Sequence, residues 1–218
     1  AAMKVELTDY PVNKTALYET HLGLDAKMVQ FGGCEMPVSY PGGIKAEYFA
    51  VRKEAGLFDV SHMGEFYISG KGTRKFLQKV TINDVSDLHL GEAQYSAMCY
   101  PDGGIVDDLI LYRKSEGYFM VVNASNIKKD FEWLNQNASD DVNLDNLSTE
   151  YSLIAIQGPR SQDILSPFTD VNLNMPFYTF KEGMVCGFPA MVSRTGYTGE
   201  LGFEIYGDAN SLVHIWDE

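Results

Sequence analysis

Gly103-Gly104-Ile105-Val106-Asp107-Asp108-Leu109-Ile110-Leu111-Tyr112 is the stretch on which the reading of the fold turns. Pro101-Asp102-Gly103-Gly104 is a strong turn signal, and the apolar run after it reads as a strand. Ala93 to Cys99 reads as the strand before the turn, and Tyr118 to Val122 as the strand after the run, so the local pattern is an antiparallel meander. Strand side chains alternate between faces. Asp108, Ile110 and Tyr112 therefore share one face, and Asp107, Leu109 and Leu111 the other. One of the two aspartates must point inward unless the strand lies on an edge, and a buried ionised carboxylate is costly unless it is paired or hydrogen-bonded. On the neighbouring strand Tyr95, Ala97 and Cys99 share a face, which brings Tyr95 towards Tyr112. A carboxylate beside two aromatic hydroxyls suits a flat, hydrogen-bonding heterocycle. Taken alone, the pair is equally consistent with a turn-capping aspartate and an edge charge.

Outward from this hairpin, strand-like and helix-like stretches are interleaved. Leu17, His21, Leu24 and Met28 recur at helical spacing and predict a helix within Lys14 to Phe31, broken by Gly32-Gly33. Helices are expected at Ile44 to Ala55, Thr73 to Val80 and Asn126 to Leu134, and a strand at Phe66 to Ser69. Ser152 to Ile156 reads as a strand running into Gly158-Pro159, where a helix can begin. Val185 to Ser193 and Gly202 to Tyr206 read as strands around a glycine-rich loop, and Gly207-Asp208 as the start of a last helix carrying Leu212, Val213 and Trp216. That helix has no closing glycine, proline or basic residue before Glu218, which suggests a fragment of a longer protein whose apolar stripe lacks some partners. Strand pairs joined by tight turns outnumber strand–helix–strand units, so the expected class is α+β, with antiparallel sheets and packed helices. The polar run Asn135 to Ser148 is the natural boundary between two lobes, residues 1–58 with 148–218 and residues 59–147.

Composition removes several classes of function. The 218 residues carry 17 basic and 30 acidic side chains, a formal charge of −13, with a pI near 4.7. A nucleic-acid binder presents a basic face, and an anionic membrane repels a chain of this sign. No apolar run approaches the ~20 residues that span a bilayer as a helix. The three cysteines, Cys34, Cys99 and Cys186, are far apart and odd in number, as reduced, mostly buried thiols would be. His21, His89 and His214 are isolated, so no metal site is expected. Ser61 and His62 are sequence neighbours, poor geometry for a nucleophile and its base, and a structural role is favoured for both. Ala1 and Ala2 before Met3 look like an expression scar, and Ala1 to Thr8 has no secretory apolar core.

Phe58-Asp59-Val60-Ser61-His62-Met63-Gly64-Glu65, the Gly103 to Asp108 turn, Ile156-Gln157-Gly158-Pro159 and Ser193-Arg194-Thr195-Gly196-Tyr197-Thr198-Gly199-Glu200 occur in one order. Together they resemble the motif series of the glycine cleavage system T-protein family, the aminomethyltransferases, over Lys14 to Glu218. The resemblance implies a folate-binding fold whose C-terminal barrel domain is missing here. It implies transfer of a one-carbon unit from an aminomethylated dihydrolipoyl arm of H-protein to tetrahydrofolate, with release of ammonia. It implies Asp108 as the catalytic carboxylate, with Tyr95, Tyr112, Asn123, Tyr197 and Glu204 in the folate pocket and Met63 lining the same cavity. A cytoplasmic setting in a bacterium, or a mitochondrial matrix in a eukaryote, follows from the same resemblance, the bacterial setting being favoured. Cys34 stands where the family commonly has an aromatic residue. A non-catalytic folate-binding or interaction module, and a folate-dependent demethylase of the same fold, are the alternatives. Face alternation also predicts that Asp107 points away from the cavity or caps the turn, so that Asp107→Asn keeps most activity.

Overall fold

The computed structural model describes residues 13–218; the readings of Ala1 to Thr8 lie outside that range. The first part of the chain runs β1 (Asn13–Lys14), α1 (Tyr18–Gly23), β2 (Lys27–Phe31), β3 (Cys34–Ser39), α2 (Ile44–Lys53), β4 (Gly56–Asp59), β5 (Gly64–Ser69) and α3 (Thr73–Val80). The hairpin read from the sequence follows as β6 (Ala93–Cys99) and β7 (Ile105–Lys114), then β8 (Gly117–Val122), α4 (Ile127–Asn137) and β9 (Asn143–Asn146). The last part is β10 (Ser152–Gln157), α5 (Ser161–Leu165), β11 (Phe180–Val185), β12 (Phe188–Ser193), β13 (Gly202–Gly207) and α6 (Ala209–Asp217).

The strands form a small sheet, β1-β3-β2, and two five-stranded sheets, β11-β12-β13-β10-β4 and β6-β7-β8-β5-β9. Both large sheets are antiparallel throughout. Period-two alternation gives each of them two apolar faces. Phe66, Ile68, Leu109, Leu111, Met120 and Val122 face outward beneath Phe76 and Leu77 of α3 and Leu134 of α4. Ile154, Ile156, Val192, Phe203 and Ile205 face outward beneath Leu165 of α5 and Leu212 and Ile215 of α6. The inner faces meet in a third core, where Tyr112, Phe119 and Val121 pack against Leu153, Met191 and Tyr206. The result is a helix–sheet–sheet–helix stack, and the polar residues that interrupt the inner faces sit where the two sheets meet. Leu212 of α6 is fully buried, and Trp216 packs edge-on against His21.

Three stretches depart from their sequence reading. Lys14 to Phe31 is not one helix: α1 ends at Gly23, Asp25 takes a left-handed φ of 55°, and β2 pairs with β3 across Gly32-Gly33. Both glycines have positive φ, 58° and 83°, as a tight two-residue hairpin requires, so they turn the chain rather than merely stop a helix. Leu24, on the supposed apolar stripe, is 48% exposed. Val185 to Ser193 is likewise a turn, Cys186-Gly187, followed by β12, with Val185 closing the unforeseen strand β11. The polar run 135–148 also contains a strand, β9, which completes a sheet by pairing with β5. Its core-facing contribution is a lone Leu144, too little to show as alternation.

Candidate functional site

The β6–β7 hairpin closes through backbone bonds between Tyr100 and Gly104 and between Gly103 and Tyr100, with Gly103 at φ 89°. Register slips between Met98 and Cys99, so that Met98 faces Asp107 and Cys99 faces Ile105, leaving Val106 unpaired. A bulge of this kind bends its strand and re-aims nearby side chains. Beyond it, alternation sends Asp108, Ile110 and Tyr112 towards the opposite sheet and Asp107 towards α4. On that opposite sheet, Glu204 and Tyr206 of β13 face inward between Phe203 and Ile205, which face outward.

The inner faces enclose a cavity of about 460 Å³. Tyr95, Asp108 and Asn123 line one wall and Glu204 and Tyr206 the other, while Met63, His62, Tyr178 and Tyr197 close the ends. A site of this size accommodates a small organic ligand, with apolar walls and a few placed polar groups. The Tyr95 hydroxyl donates to Asp108 Oδ2 at 2.6 Å, and Asn123 Nδ2 donates to Asp108 Oδ1 at 2.6 Å. The bond to Asp108, and its negative charge, push the Tyr95 hydroxyl up in pKa.

Across the cavity Glu204 is 7% exposed and accepts a short hydrogen bond from the Thr195 hydroxyl. Burial pushes its carboxyl up in pKa, and the Thr195 bond opposes that shift. Behind Glu204 the Tyr112 hydroxyl meets Tyr206 at 3.0 Å, Ser193 at 3.3 Å and Thr195 at 3.4 Å. Tyr112 is fully buried, and burial with the Glu204 charge raises its pKa strongly. The structure thus separates two tyrosines that alternation had drawn together. Tyr95 faces Ile110 in the register and reaches Asp108, while Tyr112 faces Ala93 and supports Glu204 from behind, off the cavity wall. Met63, Asn123 and Tyr197 line the cavity; Tyr197 is 87% exposed at its mouth.

The glycine-rich loop is held by Gln157, whose amide donates to the Thr195 carbonyl at 3.1 Å and accepts from the Thr198 hydroxyl at 2.8 Å. A Cβ at Gly196 or at Gly202 would lie 2.3 Å from the Gln157 side chain, so both glycines make room for this clamp. Arg52 ties α2 to the same loop through the Thr198 carbonyl and Glu200. In the Phe58 to Glu65 motif, Asp59 accepts from Thr15 at 2.6 Å, from His21 at 2.9 Å and from the Ser61 backbone at 3.0 Å. Burial alone would raise the Asp59 pKa, but these donors hold it below the ordinary carboxylate value. Ser61 bonds across to Leu153, the structural role expected of it.

Sequence reasoning missed His62, Tyr178, Tyr206 and Thr195. His62 stands on the cavity wall with its ring against Phe31, and burial lowers its pKa, against the opposing pull of Asp59. It also borders a second cavity of about 490 Å³ beside β4 and α2. Thr195 was recoverable by pairing arithmetic, since Ser193 faces Glu204 across β12 and β13. No sequence signal marks Tyr178, which the fold holds at a left-handed φ of 61°. Cys34 lines neither of these two cavities.

The family described as GCVT N-terminal domain matches residues 17–218. The chain is 54% identical over 205 residues to an aminomethyltransferase of Chloroherpeton thalassium, covering 93% of this chain and 56% of that protein. It is 48% identical over 208 residues to an aminomethyltransferase of Bacillus subtilis, covering 94% and 57%. The crystal structure of glycine cleavage system aminomethyltransferase T from Bartonella henselae superposes with a TM-score of 0.88 at 32% identity, over 95% of this chain and 56% of that one. A heterotetrameric sarcosine oxidase from Corynebacterium sp. U-96 shares the fold at a TM-score of 0.57 and 14% identity, over 78% of this chain and 86% of that one. The chain therefore spans a little over half the length of the curated relatives it matches.

Proposed function

Because this chain belongs to the family of the GCVT N-terminal domain, we propose that its central cavity binds tetrahydrofolate and serves aminomethyl transfer. The one-carbon unit would come from an aminomethylated dihydrolipoyl arm of H-protein, with release of ammonia. The observation that carries the reading is the opposition of two differently supported carboxylates, Asp108 and Glu204, across one cavity. Bound folate supplies the ring nitrogen that accepts the one-carbon unit. The residues fit such a group: Glu204 offers oxygens to ring NH and amino donors, and Tyr95, Tyr178 and Tyr197 line the same cavity with aromatic side chains that a flat ring can pack against.

The division of labour follows from the geometry. Glu204 is buried and backed by neutral hydroxyls, so it orients a ligand and tolerates either protonation state. Asp108 is less buried and fixed by a phenol and an amide on separate oxygens. It stands ready to stabilise positive charge near the transferring carbon and to hold or move a proton there. Met63 and Val121 exclude water from one side of the cavity, which strengthens these electrostatic interactions.

The test is ammonia release from aminomethylated H-protein with and without tetrahydrofolate, beside a calorimetric folate titration. Both would be run on the 218-residue chain and on a chain extended to the length of its relatives. Folate-dependent ammonia release supports the reading. Folate binding without release in either chain favours a non-catalytic folate-binding module, and absence of both overturns the reading.

A further inference from the structure

Asp107 lies on the opposite face of β7 from the cavity, yet it is coupled to Asp108. Its Oδ1 accepts from Asn123 Nδ2 at 3.0 Å and from Asn126 Nδ2 at 2.8 Å, and its Oδ2 accepts the Asn123 backbone N–H at 3.2 Å. The same Asn123 Nδ2 donates to Asp108 Oδ1. An amide –NH₂ carries two hydrogens. With one directed at each aspartate, the orientation of Asn123 is set by both.

Asp130 of α4 stands one helical turn after Asn126, whose side-chain amide bonds Asp107, so helix geometry puts the Asp130 carboxyl on the face of α4 that meets Asp107. It is fully buried, and its two carboxyl oxygens meet no hydrogen-bond donor among the described residues. The Lys129 ammonium is 4.0 Å away and bonds the Val106 carbonyl in the bulge instead. A buried carboxyl in this state is satisfied by a proton held between it and a neighbouring carboxylate. We propose that Asp107 and Asp130 share one proton and act as the positioning pair for Asp108, with Asn123 as the link. The inference rests on the catalytic reading of Asp108.

The charges agree with the geometry. Burial pushes Asp130 up to about 8, reinforced by the neighbouring Asp107 carboxylate, while Lys129 opposes the shift. Asp107 is held below the ordinary carboxylate range: burial would raise it, but the neighbouring Asp130 carboxyl and the bonds from Asn123 and Asn126 outweigh that. The charged groups that bear on Asp130 are thus Asp107 from β7 and Lys129 from its own helix. Loss of the shared proton leaves two carboxylates facing each other, and the fixed acceptor for Asn123 is disturbed. Asp107 and Asp130 are positioning residues, since neither lines the cavity.

Two readouts test the pair. In the 218-residue chain labelled at asparagine, the Asn123 side-chain amide resonances should titrate with an alkaline midpoint near that of Asp130. Asp130→Asn, which keeps a donor for Asp107, should abolish that titration. An Asn123 amide that does not titrate there, or titrates unchanged in Asp130→Asn, overturns the pair. In the extended chain, Asp107→Asn should lower kcat by roughly tenfold with folate KM little changed. Wild-type kcat should fall in alkali as the shared proton is lost; Asp130→Asn should lower neutral-pH turnover less than Asp107→Asn does and flatten that alkaline fall. Asp107→Asn within twofold of wild type, with normal folding, overturns the positioning role. Normal turnover in Asp108→Asn, with the Asn123 titration intact, overturns the catalytic reading of Asp108 and leaves the proton-sharing pair standing.

Discussion

The two walls of the cavity hold their carboxylates by different chemistry. On the β7 wall, Asp108 takes its donors from a phenol and from a side-chain amide that a second aspartate has already oriented. On the β13 wall, Glu204 is backed by Thr195, Ser193, Tyr112 and Tyr206, a chain of hydroxyls. Hydroxyls rotate to donate or accept; an amide bound at both hydrogens does not. The β7 wall therefore holds its carboxylate in one orientation, whereas the β13 wall adapts to a ligand that brings its own donors. Burial alone does not decide the outcome. Asp59 is as buried as Glu204 but is held ionised by its donors, while Glu65, with no partner for its carboxyl oxygens among the described residues, is pushed well up in pKa by burial.

The largest effect that would break this contrast is on turnover. Asp108→Asn in the extended chain should cut ammonia release by roughly 10²–10⁴-fold with the fold intact, since the amide is nearly isosteric; near-normal release would end the distinction between the walls. Next is the clamp behind the β13 wall. Gly202→Ala should destabilise the chain by about 1–3 kcal/mol in denaturant unfolding, because the new methyl displaces a hydrogen-bonded, buried Gln157. Unchanged stability would mean that the loop is not held by Gln157. Glu204→Gln should weaken folate binding by about 1–3 kcal/mol in calorimetry, because one ligand donor then meets an NH₂ group. A smaller loss than a surface charge change produces would remove Glu204 from the site.

A stability measurement sharpens the β7 side. Asp130 has a raised folded pKa, so its contribution is fully present below the ordinary aspartate value of 3.8 and is lost as pH rises towards and through about 8. Unfolding free energy of wild type should decline more steeply over that window than that of Asp130→Asn. Parallel pH curves would show that Asp130 is not held neutral. The smallest effect is expected for Tyr95→Phe. It removes one of two donors from a partly exposed Asp108 and should lower turnover by less than about tenfold. A loss matching that of Asp108→Asn would assign Tyr95 a proton-transfer role of its own.

Much of this was legible from residue order. Alternation along β7 told Asp107 from Asp108, and the Pro101 to Gly104 turn located the hairpin that presents them. The glycines of the 193–200 loop announced close backbone approach, although the group that approaches, the Gln157 side chain, comes from another motif. The helix expected across 14–31 failed because helical spacing of four apolar or aromatic residues cannot outweigh a Gly-Gly turn once a partner strand is available.

Periodicity and turn chemistry are local properties, so the sequence by itself determined the α+β class, the hairpins and the face on which each aspartate lies. What only the tertiary structure decided is which groups meet across the chain. Asn123 joins Asp108 from 15 residues away, and Tyr112 meets Tyr206 from 94 residues away. Asp107 looked dispensable by alternation, yet it is bonded to the residue that holds Asp108. The physical reason is that a hydrogen bond needs its partners within about 3 Å, and only packing one sheet face on another, and a helix on its back, sets such distances between residues far apart in sequence.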